Sequence, residues 1–286
     1  MGALVANNDL SYKVEMKKVS SMVKIFLEEK SVTGTENMIL VSSLSSRPIT
    51  LKNCAQEPHV VDLCRMLVAM GVSIEGIGTD TLIITGKEFL NGTEFRIGVD
   101  HIEVGTYAIA VMITGGKLEI EGVSNADLDA IVTPLSKFGL IFEQNGDKLN
   151  VFSDGLKSVE KIFTNTWPGF PTDLMSAVIV LATQSNGVTL CHDWMFESRM
   201  FFVDKLISMG ANIIIADPHR VFVSGPTHLR GRELESPDIR AGMALVLAAL
   251  VADGKSVINK AELIERGYED AVGKLQSLGA DIKKVV

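Results

Sequence analysis

A chain of 286 residues is long enough for two ordinary domains, and 47% hydrophobic with 22% charged residues excludes a disordered polymer. The formal net charge of −8 excludes nucleic-acid binding by overall charge and leaves room only for a local basic pocket that takes a small anion. No signal-peptide pattern opens the chain, and the longest apolar stretch, Ala241–Ala252, is too short to span a bilayer and reads as a buried helix, so no membrane partner is expected.

In chain order the first signal is Met1-Gly2-Ala3, a large apolar residue, a glycine and a second apolar residue. It recurs at Met70-Gly71-Val72, Phe138-Gly139-Leu140, Met209-Gly210-Ala211 and Leu278-Gly279-Ala280, with the glycines 68 to 71 residues apart, a period that marks a structural repeat. The stretch Thr35–Leu51 predicts a helix, a turn at Ser45–Pro48 and a strand. An apolar stripe at Val60, Leu63, Cys64, Leu67 and Val68 predicts a second helix, closed by Gly71, which is free to take positive φ. A turn at Gly78–Asp80 and a strand at Thr81–Thr85 follow. The pattern returns as Thr106–Ile120, then Gly139, a turn at Asn145–Asp147 and a strand at Leu149–Phe152. It returns again as Asp173–Leu190, a stripe at Val203, Leu206 and Ile207 before Gly210, a turn at Asp217–His219 and a strand at Arg220–Val223. The last unit opens with Arg240–Ile258 and a helix over Tyr268–Leu278. One unit is strand, helix, strand, helix and two strands. The fold class is therefore α/β, built of repeated βαβαββ units around helices as apolar as Ala241–Ala252, buried on every side. The same period predicts a chain that begins inside a unit and stops at Val286 one strand short.

Three arginines occupy unusual places. Arg199 is predicted to open a helix over 199–209 and Arg240 one over 240–251, and Arg266 shortly precedes the helix at Tyr268. A cation at the positive end of a helix is unfavourable by itself, so three in one half of the chain favour a shared anion site over separate pairs with Asp238, Glu265 or Glu269. Asp173 ends the stiff loop Pro168–Asp173 and reads either as the N-cap of the next helix or as a base beside a bound substrate. Asp100, in Val99–Gly105, has the same two readings. His192 beside Cys191 lacks a second ligand pair, so no metal is expected. The three cysteines, Cys54, Cys64 and Cys191, form no C-x-x-C pair and read as core thiols of a protein in a reducing cytoplasm. Trp167 and Trp194 read as loop packing. Gly34 and Gly105 are expected just before helices, in segments that match no dinucleotide or phosphate-loop fingerprint.

Seven segments, in order and over essentially the whole chain, carry a resemblance: Ser31–Asn37, Glu57–Asp62, Asp100–Thr106, Pro168–Asp173, Phe196–Arg199, Asp238–Arg240 and Arg266–Tyr268. Together they resemble the enolpyruvyl (carboxyvinyl) transferases, and among them the branch acting on UDP-N-acetylglucosamine. The resemblance implies two similar domains, each an inside-out α/β barrel of three units, with the active site in the cleft between them. Residues 1–98 would be the remnant of the first domain, and 99–286 the second, lacking strands that the N-terminus supplies. The implied reaction moves enolpyruvyl from phosphoenolpyruvate to the sugar 3-hydroxyl, the first committed step toward peptidoglycan and so toward cell shape and division. It needs two small-molecule substrates, UDP-N-acetylglucosamine and phosphoenolpyruvate, and no cofactor. By resemblance Asp173 is the base and a sugar contact, Met195 a second sugar contact, and Arg240 and Arg266 hold phosphoenolpyruvate. Arg199 is a further active-site arginine, and Asp100 belongs to the interdomain motif. Lys30, Ser31 and Val32 match the loop on the diphosphate side, where Thr33 stands at a position often occupied by glycine. The family's reactive cysteine or aspartate and its lysine–asparagine pair have no counterpart here, so the chain alone is expected to be inactive. The shikimate-pathway sister enzyme and a non-catalytic UDP-sugar-binding paralogue are the alternatives.

Overall fold

The computed structural model describes residues 3–8, 11–16, 23–123 and 128–285. Gly2, the first glycine of the repeat, and Val286 lie outside the described residues. Two compact units divide the chain, Met1–Gly98 and Val99–Val286.

The first unit opens with an antiparallel hairpin of β1 (Ala3–Asn8) and β2 (Ser11–Met16). It continues as β3 (Val23–Phe26), α1 (Val32–Ser42), β4 (Ile49–Lys52), α2 (Pro58–Ala69), β5 (Ser73–Glu75) and β6 (Thr81–Thr85). The last four strands form one sheet in the order β3-β4-β6-β5, with β3 parallel to β4 and the other pairs antiparallel. Alternation in β4 and β6 sends Ile49, Leu51, Leu82 and Ile84 to the core, where α2 lays Val60, Cys64 and Leu67 on them. Proline at its first position starts α2 where a missing N–H costs nothing.

The second unit repeats this pattern, except that its first repeat lacks the expected opening strand, residues 90–100 forming none, and its sheet has three strands. It begins with α3 (His101–Thr114), β7 (Lys117–Glu121), α4 (Asp129–Lys137), β8 (Leu140–Asn145) and β9 (Lys148–Ser153), in a sheet ordered β7-β9-β8. Next come β10 (Lys161–Phe163), a 3-10 turn (Thr172–Leu174), α5 (Met175–Gln184), β11 (Gly187–His192), a second 3-10 turn (Glu197–Met200), α6 (Val203–Ser208), β12 (Asn212–Asp217) and β13 (Arg220–Gly225). Their sheet order, β10-β11-β13-β12, reproduces that of the first unit strand for strand, parallel pair included. The parallel pair β14 (Glu233–Glu235) and β15 (Val257–Asn259) then encloses α7 (Ile239–Leu250). A third 3-10 turn (Ala261–Arg266) and α8 (Ala271–Ser277) follow. Gly71, Gly139, Gly210 and Gly279 all adopt φ between 95° and 108°, as glycines that end helices do. At Gly139 a Cβ would sit 2.1 Å from the carbonyl oxygen of Gly155, so that repeat position admits no side chain.

Helices α3, α5 and α7 pack on one another, and the sheets lie outside them. Every residue from Met175 to Thr183 of α5 is buried, as are Ala241 to Ala248 of α7, which explains why these segments lack a polar face. Among the described residues no helix is long and apolar enough to cross a membrane.

Four local expectations are corrected. The helix expected over 199–209 starts at Val203, because Asp193 Oδ1 accepts from the Met195 and Phe196 N–H groups and winds the chain into the turn that holds Arg199. The helix expected from Tyr268 starts at Ala271, where Asp270 caps the Gly273 N–H, and Tyr268 is buried in the preceding turn. Gly34 and Gly105 lie inside α1 and α3 rather than before them. Gly105 has a steric reason to be there: a Cβ would meet Leu174 Cδ1 at 2.5 Å, so its absence lets the turn carrying Asp173 rest on α3.

Candidate functional site

Asp173 stands on the connection from β10 to α5. That connection is tied internally by Asn165 N–H to Phe170 O (2.9 Å) and Gly169 N–H to Thr166 O (2.8 Å). It is anchored by the buried side chains of Trp167, Phe170 and Leu174, and the Trp167 ring meets His101 edge-on at 5.1 Å. Asp173 does not cap α5, whose N-cap position is Leu174 with no side-chain cap bond. Its carboxylate goes instead to two arginines distant in sequence. Oδ1 accepts from Arg199 Nη2 at 3.1 Å, and Oδ2 accepts from Arg240 Nε at 3.0 Å and lies 2.9 Å from Arg240 Nη2. A planar guanidinium meeting a carboxylate oxygen through two nitrogens fixes orientation as well as charge.

These side chains line a cleft of about 450 Å³ within the second unit, together with Phe196, Asp238 and Arg266. Asp238 Oδ1 accepts from the N–H groups of Arg240 and Ala241, both at 2.8 Å, so it fills the N-terminus of α7. The helix start is thus already satisfied, and the anion preference belongs to the guanidiniums rather than to free helix N–H groups. Two of their donors, Arg199 Nε and Arg240 Nη1, are buried with no hydrogen-bond partner among the described residues. Arg266 is exposed at the cleft, and no described carboxylate pairs with it. Arg199 Nε faces the buried Asp193 carboxylate at 3.9 Å, so it is Arg240 Nη1, together with the exposed Arg266, that an anionic ligand would satisfy, since an orphaned buried donor is costly.

Aromatic rings shape both arginines. The Arg240 guanidinium lies 5.2 Å from the centre of the Tyr268 ring, and the Tyr268 hydroxyl is 3.0 Å from Thr106 Oγ1 on α3. The Arg199 guanidinium lies 5.4 Å from the Phe196 ring. Burial works against the charge of Arg240, but Asp173 and Tyr268 outweigh it and hold its pKa above the usual arginine value. Burial also pushes the Tyr268 phenol up, with the nearby Arg240 opposing.

The remaining expected site residues lie elsewhere. Asp100 caps α3, its Oδ1 accepting from Ile102 N–H (2.8 Å) and Glu103 N–H (3.1 Å). Met195 follows β11, its N–H bonded to Asp193 Oδ1 at 3.0 Å. Lys30, Ser31 and Val32 belong to the first unit: Ser31 caps α1 through the Gly34 N–H, and Lys30 Nζ donates to Gln56 Oε1 at 3.2 Å. The described residues contain no cluster of histidine, cysteine and carboxylate side chains able to hold a metal. All three cysteines are buried. Burial pushes the Cys191 thiol up to about 12 and those of Cys54 and Cys64 up to about 11, so none supplies a ready thiolate. Asp193 is the residue that sequence reasoning passed over. It is fully buried and touches both segments of the site, yet in the sequence it is only an acid after Cys191 and His192, at a strand end.

The family model described as EPSP synthase (3-phosphoshikimate 1-carboxyvinyltransferase) matches residues 1–275. The UDP-N-acetylglucosamine 1-carboxyvinyltransferase of Borreliella burgdorferi is 46% identical over all of this chain and 68% of its own length. Its namesake in Treponema denticola is 47% identical over 91% of this chain and 63% of its own. The chain therefore spans about two thirds of the length of the curated relatives it matches. Among solved structures, the enolpyruvyl transferase NikO from Streptomyces tendae superposes with a TM-score of 0.87 over 99% of this chain and 69% of that one at 23% identity. An EPSP synthase from Acinetobacter baumannii gives 0.72 over 98% and 68% at 16% identity. Both have the fold described above.

Proposed function

Since this chain belongs to the EPSP synthase family of carboxyvinyltransferases, we propose that it serves transfer of enolpyruvyl from phosphoenolpyruvate to the 3-hydroxyl of UDP-N-acetylglucosamine, with release of phosphate. The observation that carries this reading is the Asp173 carboxylate held between Arg199 and Arg240, with unused guanidinium donors beside it. The choice of sugar over shikimate phosphate follows the name shared by relatives 41% to 48% identical.

In this reading Arg240 and Arg266 take the carboxylate and phosphate of phosphoenolpyruvate, and Arg199 holds Asp173 in place. Asp173 Oδ2 faces two nitrogens of Arg240, whereas Oδ1 accepts from Arg199 alone and keeps a lone pair for the sugar hydroxyl. The hydroxyl oxygen attacks C2 of phosphoenolpyruvate as Asp173 takes its proton, and C3 takes a proton from solvent water to become a methyl group. The tetrahedral adduct then loses phosphate and a C3 proton, which restores the double bond. Cys54, Cys64 and Cys191 do not donate the C3 proton, being buried away from the cleft residues. Met195 contacts the sugar, Asp100 orients α3 at the interdomain motif, and Lys30, Ser31 and Val32 face the diphosphate. Residues 1–98 are read as part of the sugar-nucleotide domain and 99–286 as the second domain. The three unpaired thiols support a cytoplasmic setting, with peptidoglycan synthesis as the process served.

Phosphate release from the two substrates tests the proposal, using residues 1–286 alone and mixed with a separately produced N-terminal third of a relative. Release that requires both substrates and is lost in Arg240→Met supports it. Release from shikimate 3-phosphate instead of the UDP-sugar contradicts it.

A further inference from the structure

We propose that Asp193 is a positioning residue for the sugar side of the site, an inference that rests on the functional reading above. Its side chain is completely buried, and four donors from the connection after β10 and the turn after β11 bind its carboxylate. Oδ1 accepts from Thr164 Oγ1 at 3.1 Å, Met195 N–H at 3.0 Å and Phe196 N–H at 3.3 Å. Oδ2 accepts from Thr172 Oγ1, the residue next to Asp173, and faces Arg199 Nε at 3.9 Å. One carboxylate thus ties the loop ending in Asp173, the turn starting at Met195 and the guanidinium that holds Asp173.

The backbone of Asp193 is fixed as firmly. Its N–H donates to His219 O at 2.9 Å, and its carbonyl oxygen lies 2.7 Å from His219 Nδ1. A buried acceptor with this many donors is expensive to alter, and changing it leaves each donor partly unpaired. No described contact joins Asp193 to Arg240 or Arg266, which approach the cleft from α7 and the turn after β15. Loss of the Asp193 charge should therefore displace Met195 and Arg199 and loosen the loop before Asp173, while Arg240, which keeps its own two-nitrogen pairing with Asp173 and its contact with Tyr268, and Arg266 stay in place.

Asp193→Asn keeps the shape and removes the charge. Val151→Ala, a cavity in the separate β7-β9-β8 sheet, controls for loss of stability alone. Titration calorimetry on residues 1–286 is expected to show UDP-N-acetylglucosamine bound about tenfold or more weakly by Asp193→Asn, the scale of one charge-assisted hydrogen bond. Phosphoenolpyruvate affinity should stay within about twofold, as should both affinities of Val151→Ala. Unchanged sugar affinity, or an equal loss of both ligands, would overturn the proposal. A second readout needs no ligand: the arginine Nε–H signals in a ¹H–¹⁵N spectrum, assigned with Arg199→Lys and Arg240→Lys. In Asp193→Asn the Arg199 signal should shift or vanish while that of Arg240 stays. An unmoved Arg199 signal would refute the positioning role. Wild-type protein that binds neither ligand would count against the functional reading, and the arginine signals would still decide the role of Asp193.

Discussion

Replacing Asp173 by Asn leaves two guanidiniums facing each other across the cleft without the carboxylate between them. The arginine side chains are 13% and 18% exposed and that of Asp173 is 36% exposed, so the site lies between a surface pair and a buried one. Exposed pairs contribute roughly 0–1 kcal/mol, and removing one partner of a buried pair costs roughly 3–5 kcal/mol. Solvent screening at Asp173 brings the expected loss to about 2 kcal/mol, even though two pairs are broken. For a unit of this size that corresponds to a melting point lower by about 4–8 °C. Both tryptophans, Trp167 and Trp194, lie in the second unit, so tryptophan fluorescence during heating reports on the right part of the molecule. The Asn variant should also be stabilised more than wild type by added inorganic phosphate, because the anion no longer competes with the carboxylate for Arg199 and Arg240. A melting point within about 1 °C of wild type, or a higher one, would refute the reasoning that the carboxylate holds the two cations together.

Three more outcomes are expected. The three thiols should resist alkylation at pH 8 in the folded protein and react readily in denaturant. Because burial holds the folded thiols above the unfolded value of 9.0, the unfolded chain loses these protons first and stability should fall between about pH 9 and 12. Cys191→Ala should flatten that fall in urea-unfolding midpoints. Gly105→Ala places a methyl 2.5 Å from Leu174 Cδ1, and the overpacking, roughly 1–3 kcal/mol, should exceed the helix-propensity gain of about 1 kcal/mol and lower the melting point. Asp100→Ala should cost about 1 kcal/mol through the lost cap of α3, and Asp100→Asn, which keeps a capping oxygen, should recover most of it in the same melt.

The repeat was legible because its signals are local. Helix-ending glycines, period-2 strands such as Thr81–Thr85 and uniformly apolar helices each follow from a few neighbouring residues, and among the described residues, which leave out Gly2, Gly71, Gly139, Gly210 and Gly279 end helices as the pattern predicts. The association of the arginines with one site was legible only as a shared oddity of position. Their partner was not: Asp173 reads as a helix cap from spacing, and only the packing of α5 and α7 brings it to Arg240, 67 residues away. Helix starts near Arg199 and Tyr268 were misplaced because side chains of Asp193 and Asp270 turn the backbone there, and neither periodicity nor propensity carries such bonds. Asp193 escaped notice for the same reason, since its four donors come from Thr164, Thr172, Met195 and Phe196.

The most direct test of the central claim is titration of UDP-N-acetylglucosamine into residues 1–286, with shikimate 3-phosphate as the competing candidate and Asp173→Asn as the site control. Saturable binding of the UDP-sugar that weakens in Asp173→Asn, with no heat from shikimate 3-phosphate, is the predicted result. Binding of shikimate 3-phosphate in its place, or UDP-sugar binding indifferent to Asp173, would contradict the assignment of this cleft.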